Sequence, residues 1–183
     1  LEMSFGTQED ILTLAEGLFT TLAAAVFPEK RITQTPWPRL SHREAMTTYG
    51  TDKPDLRSDK SDPNELAFAW VLDFPLFKEQ GATDFFHGSG SAALAPSHHM
   101  FTAPHPDDIS LLDTDPIKVR GLQHDMVLNG FEVGGGSVRI HQADVQEKVF
   151  GLIGFSDGEK QRFSHLLRAF AYGVPPHGGI APG

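Results

Sequence analysis

The sequence predicts an α+β domain in which helices flank an antiparallel sheet, and three observations predict it. Residues 125–141 carry two apolar runs around Asn129-Gly130, a hairpin signature because both turn residues accept positive φ. Residues 65–74 are almost continuously apolar and aromatic, as in a strand buried on both faces. Helical periodicity brackets these strands. Ile11, Leu14, Leu18 and Leu22 precede them; Val145, Val149, Phe150 and Ile153, then Phe163, Leu166, Leu167 and Phe170, follow.

The 183 residues, 39% hydrophobic and 21% charged, suffice for one domain with a substantial core. No run of eighteen apolar residues predicts a membrane span, and no basic leader before an apolar core marks a signal peptide; the expected setting is cytoplasmic, with an organellar one as the alternative. Cysteine is absent, which removes disulfides and thiolate metal sites. A formal net charge of −9 argues against a general nucleic-acid surface, which would be basic.

In chain order, Leu1 to Phe5 reads as a strand entered part-way, and the Gly-rich 178–183 end reads as a second cut within a larger domain. Thr7-Gln-Glu-Asp10 is a capping-box variant opening a helix that should run to about Phe27 and stop at Pro28, packing through its Ile11–Leu14–Leu18–Leu22 face. Thr35-Pro-Trp-Pro-Arg39 should be extended, since each proline restricts its predecessor. Ser41-His-Arg-Glu44 caps a short helix ended by Gly50. Residues 51–57 read by themselves as a solvated, turn-rich loop, and 58–64 as a short polar linker. Asp73 suits either a turn or a pocket. Residues 78–96, rich in Gly, Ser and Ala, read as a surface loop or hairpin insertion. Two short helices are expected over 107–113 and 116–120, and two longer ones over 142–153 and from the Ser156 cap onward.

The chemistry-bearing residues concentrate in the hairpin. It offers acids at Asp125 and Glu132, bare backbone at Gly134, Gly135 and Gly136, and a cation at Arg139. Three glycines inside a strand cost chain entropy and pack nothing, so they imply close approach of a ligand or a bulge. The run lies within a strand, which excludes a phosphate-binding loop or a dinucleotide fingerprint. His98, His99 and His105 invite zinc, but no helical H-x-x-x-H or cysteine accompanies them, and imidazoles placed over an anionic ligand fit better.

Several longer motifs then fall in order: Asp52-Lys-Pro-Asp-Leu-Arg57, Trp70-Val-Leu-Asp-Phe-Pro75, Phe101-Thr-Ala-Pro-His-Pro106, the 125–141 hairpin, and Tyr172-Gly-Val-Pro-Pro-His-Gly-Gly-Ile-Ala-Pro-Gly183. Together they resemble bacterial-type aspartyl-tRNA synthetase, a class II enzyme, over essentially the whole chain. The resemblance implies that residues 1–183 are part of one catalytic domain, lying between class II motifs 2 and 3. The linker 58–64 stands where that family usually carries an inserted domain. Residues 85–96 have no family counterpart, and Met100 replaces a usual proline.

The resemblance implies ATP-dependent activation of L-aspartate to an adenylate and transfer to tRNA, with ATP and Mg²⁺ as cofactors and a homodimeric parent. It assigns Asp125 and Glu132 to ATP-bound Mg²⁺, a hard cation suited to carboxylates. It gives Gly134 to Gly136 to the nucleotide, Arg139 to a forked pair with the substrate's side-chain carboxylate, and His98 and His99 to a loop closing over aspartate. The motif 2 and motif 3 arginines and the anticodon-binding domain fall outside the 183 residues, so tRNA contact is expected mainly elsewhere and this piece alone is expected to lack activity. A non-catalytic synthetase-like paralogue is the alternative, and asparaginyl-tRNA synthetase a third reading.

Overall fold

The computed structural model describes residues 1–81 and 92–183. In chain order the elements are β1 (Glu2–Ser4), α1 (Gln8–Val26), β2 (Arg31–Ile32), β3 (Arg39–Ser41), α2 (His42–Tyr49), β4 (Glu65–Leu66), β5 (Phe68–Leu72), β6 (Phe77–Glu79), β7 (Leu94–Pro96), α3 (Leu111–Thr114), β8 (Gln123–Leu128), β9 (Phe131–Val138), α4 (Ala143–Leu152), α5 (Asp157–Arg162), α6 (Ser164–Ala171) and β10 (His177–Pro182). Single 3₁₀ turns at Pro106–Asp108 and Pro116–Lys118 complete the list among the described residues.

The main sheet has the order β1-β10-β9-β8-β5-β3. Its β1–β10, β10–β9, β9–β8 and β8–β5 pairs are antiparallel. The last pair is not: Arg39, Leu40 and Ser41 run parallel to Trp70, Val71 and Leu72. The sheet is therefore mixed, which corrects the expectation of a wholly antiparallel one. The reason is the crossover formed by α2 and the loop after it, the kind of connection that parallel neighbours require. A three-residue strand that follows Pro36 and Pro38 and runs straight into α2 shows no alternation from which to read this.

Helix α1 begins as predicted. Thr7 Oγ1 accepts from Asp10 N at 3.3 Å and Asp10 Oδ2 accepts from Thr7 N at 2.7 Å, an exchange typically worth ~1 kcal/mol. Its buried face differs from the expected one. Ile11, Leu12, Ala15 and Glu16 face the core, whereas Leu14, Leu18 and Leu22 remain 45%, 53% and 47% exposed. The helix is apolar on two stripes, and docking against Trp37, Phe68 and Trp70 selected one of them. Glu16 is tolerated inside because its Oε1 accepts from Trp37 N at 2.9 Å.

A second core forms under α4, where Val145, Val149, Phe150 and Ile153 are buried as predicted. The helix expected from Ser156 breaks at Phe163 into α5 and α6. Phe163 turns inward there, and its ring lies 5.4 Å from Phe150 and 5.7 Å from Phe101. Asp73 adopts φ +56°, a turn conformation. Strands β6 and β7 pair from Phe77–Pro96 to Glu79–Leu94, the stem of the expected hairpin insertion; its remainder, residues 82–91, lies outside the described residues.

The linker 58–64 is closed by a buried acid. Glu65 accepts from Ser58 N at 3.2 Å, Ser58 Oγ at 2.8 Å and Asp59 N at 3.1 Å. Among the described residues no helix is long and apolar enough to cross a membrane.

Candidate active site

Strands β8 and β9 form the predicted hairpin. Asn129 (φ +52°) and Gly130 (φ +89°) make its turn. Asn129 does more than turn the chain. Its side chain accepts from Ala67 N at 2.9 Å and donates to Glu65 O at 2.9 Å, tying the hairpin to the joint between β4 and β5. A bulge shifts the register between Met126 and Val127, so Val127 pairs with Glu132 while Asp125 pairs with Gly135.

That register brings the two acids together. The point where a Gly135 Cβ would stand lies 3.1 Å from Glu132 Oε1 and 3.2 Å from Asp125 Oδ1. Asp125 is only 6% exposed, and its Oδ1 has no hydrogen-bond partner. Burial, followed by the negative charges of Glu132 and Asp52, pushes its carboxyl up to about 7, against the opposing pull of Lys53. An unpartnered buried carboxylate oxygen aimed at a second carboxylate fits a hard divalent cation. Among the described residues no group of three or more His, Cys, Asp or Glu could hold a metal ion, so further ligands would have to come with a substrate.

The glycines divide into distinct jobs. Only at Gly135 do the nearest atoms belong to the acids. A Cβ at Gly134 would meet Met126 Cε at 3.1 Å and Pro182 Cα at 3.2 Å; one at Gly136 would run into the Gly179 carbonyl and meet Ile180 Cα at 2.8 Å. The space beside Gly134 and Gly136 is thus taken by the protein's own β10.

Arg139 lies four residues beyond Gly135, roughly 13 Å along an extended chain. It borders a groove of about 270 Å³ with Leu1, Glu2, Gly135, Gly136 and Gly179, and makes no ion pair among the described residues. Gly135 is thus shared between this groove and the acids. His98 and His99 are both exposed, but they part company. The His99 ring lies tilted against Phe101, 5.0 Å between ring centres, and its Nδ1 accepts from Phe101 N at 3.2 Å. His98 is close enough, like Arg139, to act electrostatically on His124.

Three neighbours of the site escaped the sequence reading. Lys53 Nζ lies 2.8 Å from Glu132 Oε2. The solvated loop expected at 51–57 instead leans on the hairpin, with Pro54 buried and Asp55 Cβ 3.4 Å from where a Gly130 Cβ would be. His124 is fully buried between Gly179 O, 3.1 Å from Nε2, and Gln8 Nε2, 3.4 Å from Nδ1. Neither His124 nor Gln8 stands in a pattern that marks it. The charged spacing of Asp52-Lys53 was the one available signal.

The fold is shared with amino acid–tRNA synthetases. An aspartyl tRNA synthetase from Entamoeba histolytica covers all of this chain with a TM-score of 0.63 at 19% identity, over 37% of its own length. An asparaginyl-tRNA synthetase from Pyrococcus horikoshii does so with a TM-score of 0.61 at 18% identity, over 42% of its length. More particularly, the chain belongs to the class II tRNA synthetases of the D, K and N group, a family that matches residues 1–183. Among curated relatives, an aspartate–tRNA(Asp/Asn) ligase of Rubrobacter xylanophilus is 30% identical over 307 residues, covering 100% of this chain and 50% of that protein. A ligase of the same name from Dehalococcoides mccartyi is 50% identical over 128 residues, 68% of this chain and 20% of that protein. The chain spans half or less of the length of these relatives.

Proposed function

We propose that the whole protein is a cytoplasmic, homodimeric aspartate–tRNA ligase. It activates L-aspartate with ATP and passes the aspartyl group to the 3′ end of tRNA-Asp, with tRNA-Asn as a second acceptor suggested by the relatives' names. One observation carries this reading: a single hairpin bears a buried acid beside a more exposed one, a bare glycine and an arginine without an ion pair among the described residues, in that order.

Each residue then has a task. Asp125 and Glu132 hold the cation that accompanies ATP. Bound Mg²⁺ would supply charge neutralisation at the phosphates. Gly135 lets the nucleotide lie against the strand. Arg139 forks onto the side-chain carboxylate of aspartate, a pairing that the neutral amide of asparagine cannot return. The aspartate α-carboxylate attacks the α-phosphorus, pyrophosphate leaves, and a tRNA hydroxyl displaces AMP from the adenylate. His98, which like Arg139 acts on His124, would cover the amino acid; His99, packed on Phe101, would support it. The linker 58–64 stands in place of an inserted domain.

Aspartate-dependent exchange of pyrophosphate into ATP by the intact protein is the test. Exchange with aspartate and not with asparagine is expected. No exchange, or equal exchange with both, would overturn the proposal.

A further inference from the structure

Lys53 is not a passing surface lysine. It follows α2 in a loop seated on the hairpin: Pro54 is buried, and the place of a Gly130 Cβ lies 3.4 Å from Asp55 Cβ and 3.9 Å from Lys53 O. From there its ammonium takes Glu132 Oε2 at 2.8 Å, and Asp52 and Asp125 are near enough to favour its charge. The other Glu132 oxygen and the unpartnered Asp125 Oδ1 stay turned toward the same point over Gly135. One side of the acid pair is already neutralised by a resident cation, and the other side is open.

A dication entering the open side meets that ammonium. At about 5 Å in water their repulsion is worth roughly tenfold in affinity. A dication arriving with a polyphosphate brings more negative charge than positive. The phosphate oxygens supply the ligands that two carboxylates lack, and the flexible four-carbon stem lets Lys53 swing onto them.

We propose that Lys53 is a specificity-determining residue, a built-in countercation that holds bare divalent ions off the Asp125–Glu132 pair and admits them with the phosphates of a nucleotide. The inference rests on reading that pair as the metal–nucleotide site.

The test measures binding of free Mn²⁺, and of Mn²⁺ with a non-hydrolysable ATP analogue, by electron paramagnetic resonance of the wild-type protein, Lys53→Met and Lys53→Arg, with circular dichroism to verify folding. Lys53→Met should bind free Mn²⁺ roughly tenfold more tightly and the Mn²⁺–nucleotide several-fold more weakly. Lys53→Arg should stay near wild type. Unchanged or weaker free Mn²⁺ binding by Lys53→Met, or undiminished binding of the complex, overturns the proposal. Asp125→Asn and Glu132→Gln separate the two levels. If they abolish Mn²⁺–nucleotide binding while Lys53→Met matches wild type, only the Lys53 role fails. If they leave that binding intact, the metal–nucleotide reading fails and the Lys53 role with it.

Discussion

His124 Nε2 donates to the carbonyl oxygen of Gly179, 3.1 Å away, from a fully buried ring. A carbonyl only accepts, so the proton sits on Nε2 and Nδ1 is left as acceptor toward Gln8. The same Gly179 carbonyl fills the space where a Gly136 side chain would stand. The histidine and the glycine thus hold one strand crossing from two sides, behind β9, which leads into Arg139.

This pairing predicts an unusual acid response. Burial, with Arg139 and His98 adding positive charge, lowers His124 from 6.5 to about 4, against the Gly179 hydrogen bond. The unfolded chain therefore binds the extra proton first. Stability from the neutral ring is complete above 6.5 and is lost as pH falls toward 4, by roughly 3 kcal/mol. Asp125, raised from 3.8 to about 7, works in the opposite sense. Its native carboxyl keeps the proton, so stability is greatest below 3.8 and falls by about 4 kcal/mol as pH rises through 7. In metal-free buffer the two slopes largely cancel between pH 4 and 6.5. Asp125→Asn should unmask a loss of stability on acidification, and His124→Gln a gain. Urea unfolding from pH 4 to 8 measures both; parallel profiles for the two variants would refute the pair.

The glycines should separate function from folding. Gly135→Ala pushes only on two carboxylate oxygens and should fold within about 1 kcal/mol of wild type while losing Mn²⁺–nucleotide affinity by roughly tenfold or more. Gly136→Ala drives a methyl into the backbone of β10 and should cost about 3 kcal/mol or more. Thermal melts and binding isotherms on the same samples check the contrast.

Asn129 combines two demands that alanine meets poorly. It sits at φ +52° and closes two hydrogen bonds to the backbone of Glu65 and Ala67. Asn129→Ala should cost roughly 2–4 kcal/mol. Asn129→Gly restores the turn but not the bonds and should fall between. No loss for Asn129→Gly in chemical denaturation would mean that the side-chain clamp contributes nothing, and equal losses for both that the positive φ contributes nothing.

The two ends of the hairpin should give different kinetic defects in the intact protein. Arg139→Lys removes a fork and should raise KM for aspartate, lowering kcat/KM by about a hundredfold with kcat less affected. Glu132→Gln should mainly slow adenylate formation, read as kcat of pyrophosphate exchange. The same defect in both would break the division of labour assigned to them.

Much of this protein was legible from local pattern. Capping boxes at Thr7, Ser41 and Ser156, the Asn129-Gly130 turn and the buried face of α4 are encoded within a few residues of one another, where propensity and periodicity act. The acids, glycines and arginine of the hairpin could be named for the same reason: they share one short stretch. Tertiary structure decided what depends on distant partners. It chose which apolar stripe of α1 is buried, made the edge pair β3–β5 parallel, and gave Gly135 to the acids while Gly136 went to the backbone of β10. It also delivered Lys53 to Glu132 and His124 to Gly179. Those contacts join residues 79 and 55 positions apart, a range at which no local period carries information and only the packed sheet sets the distance.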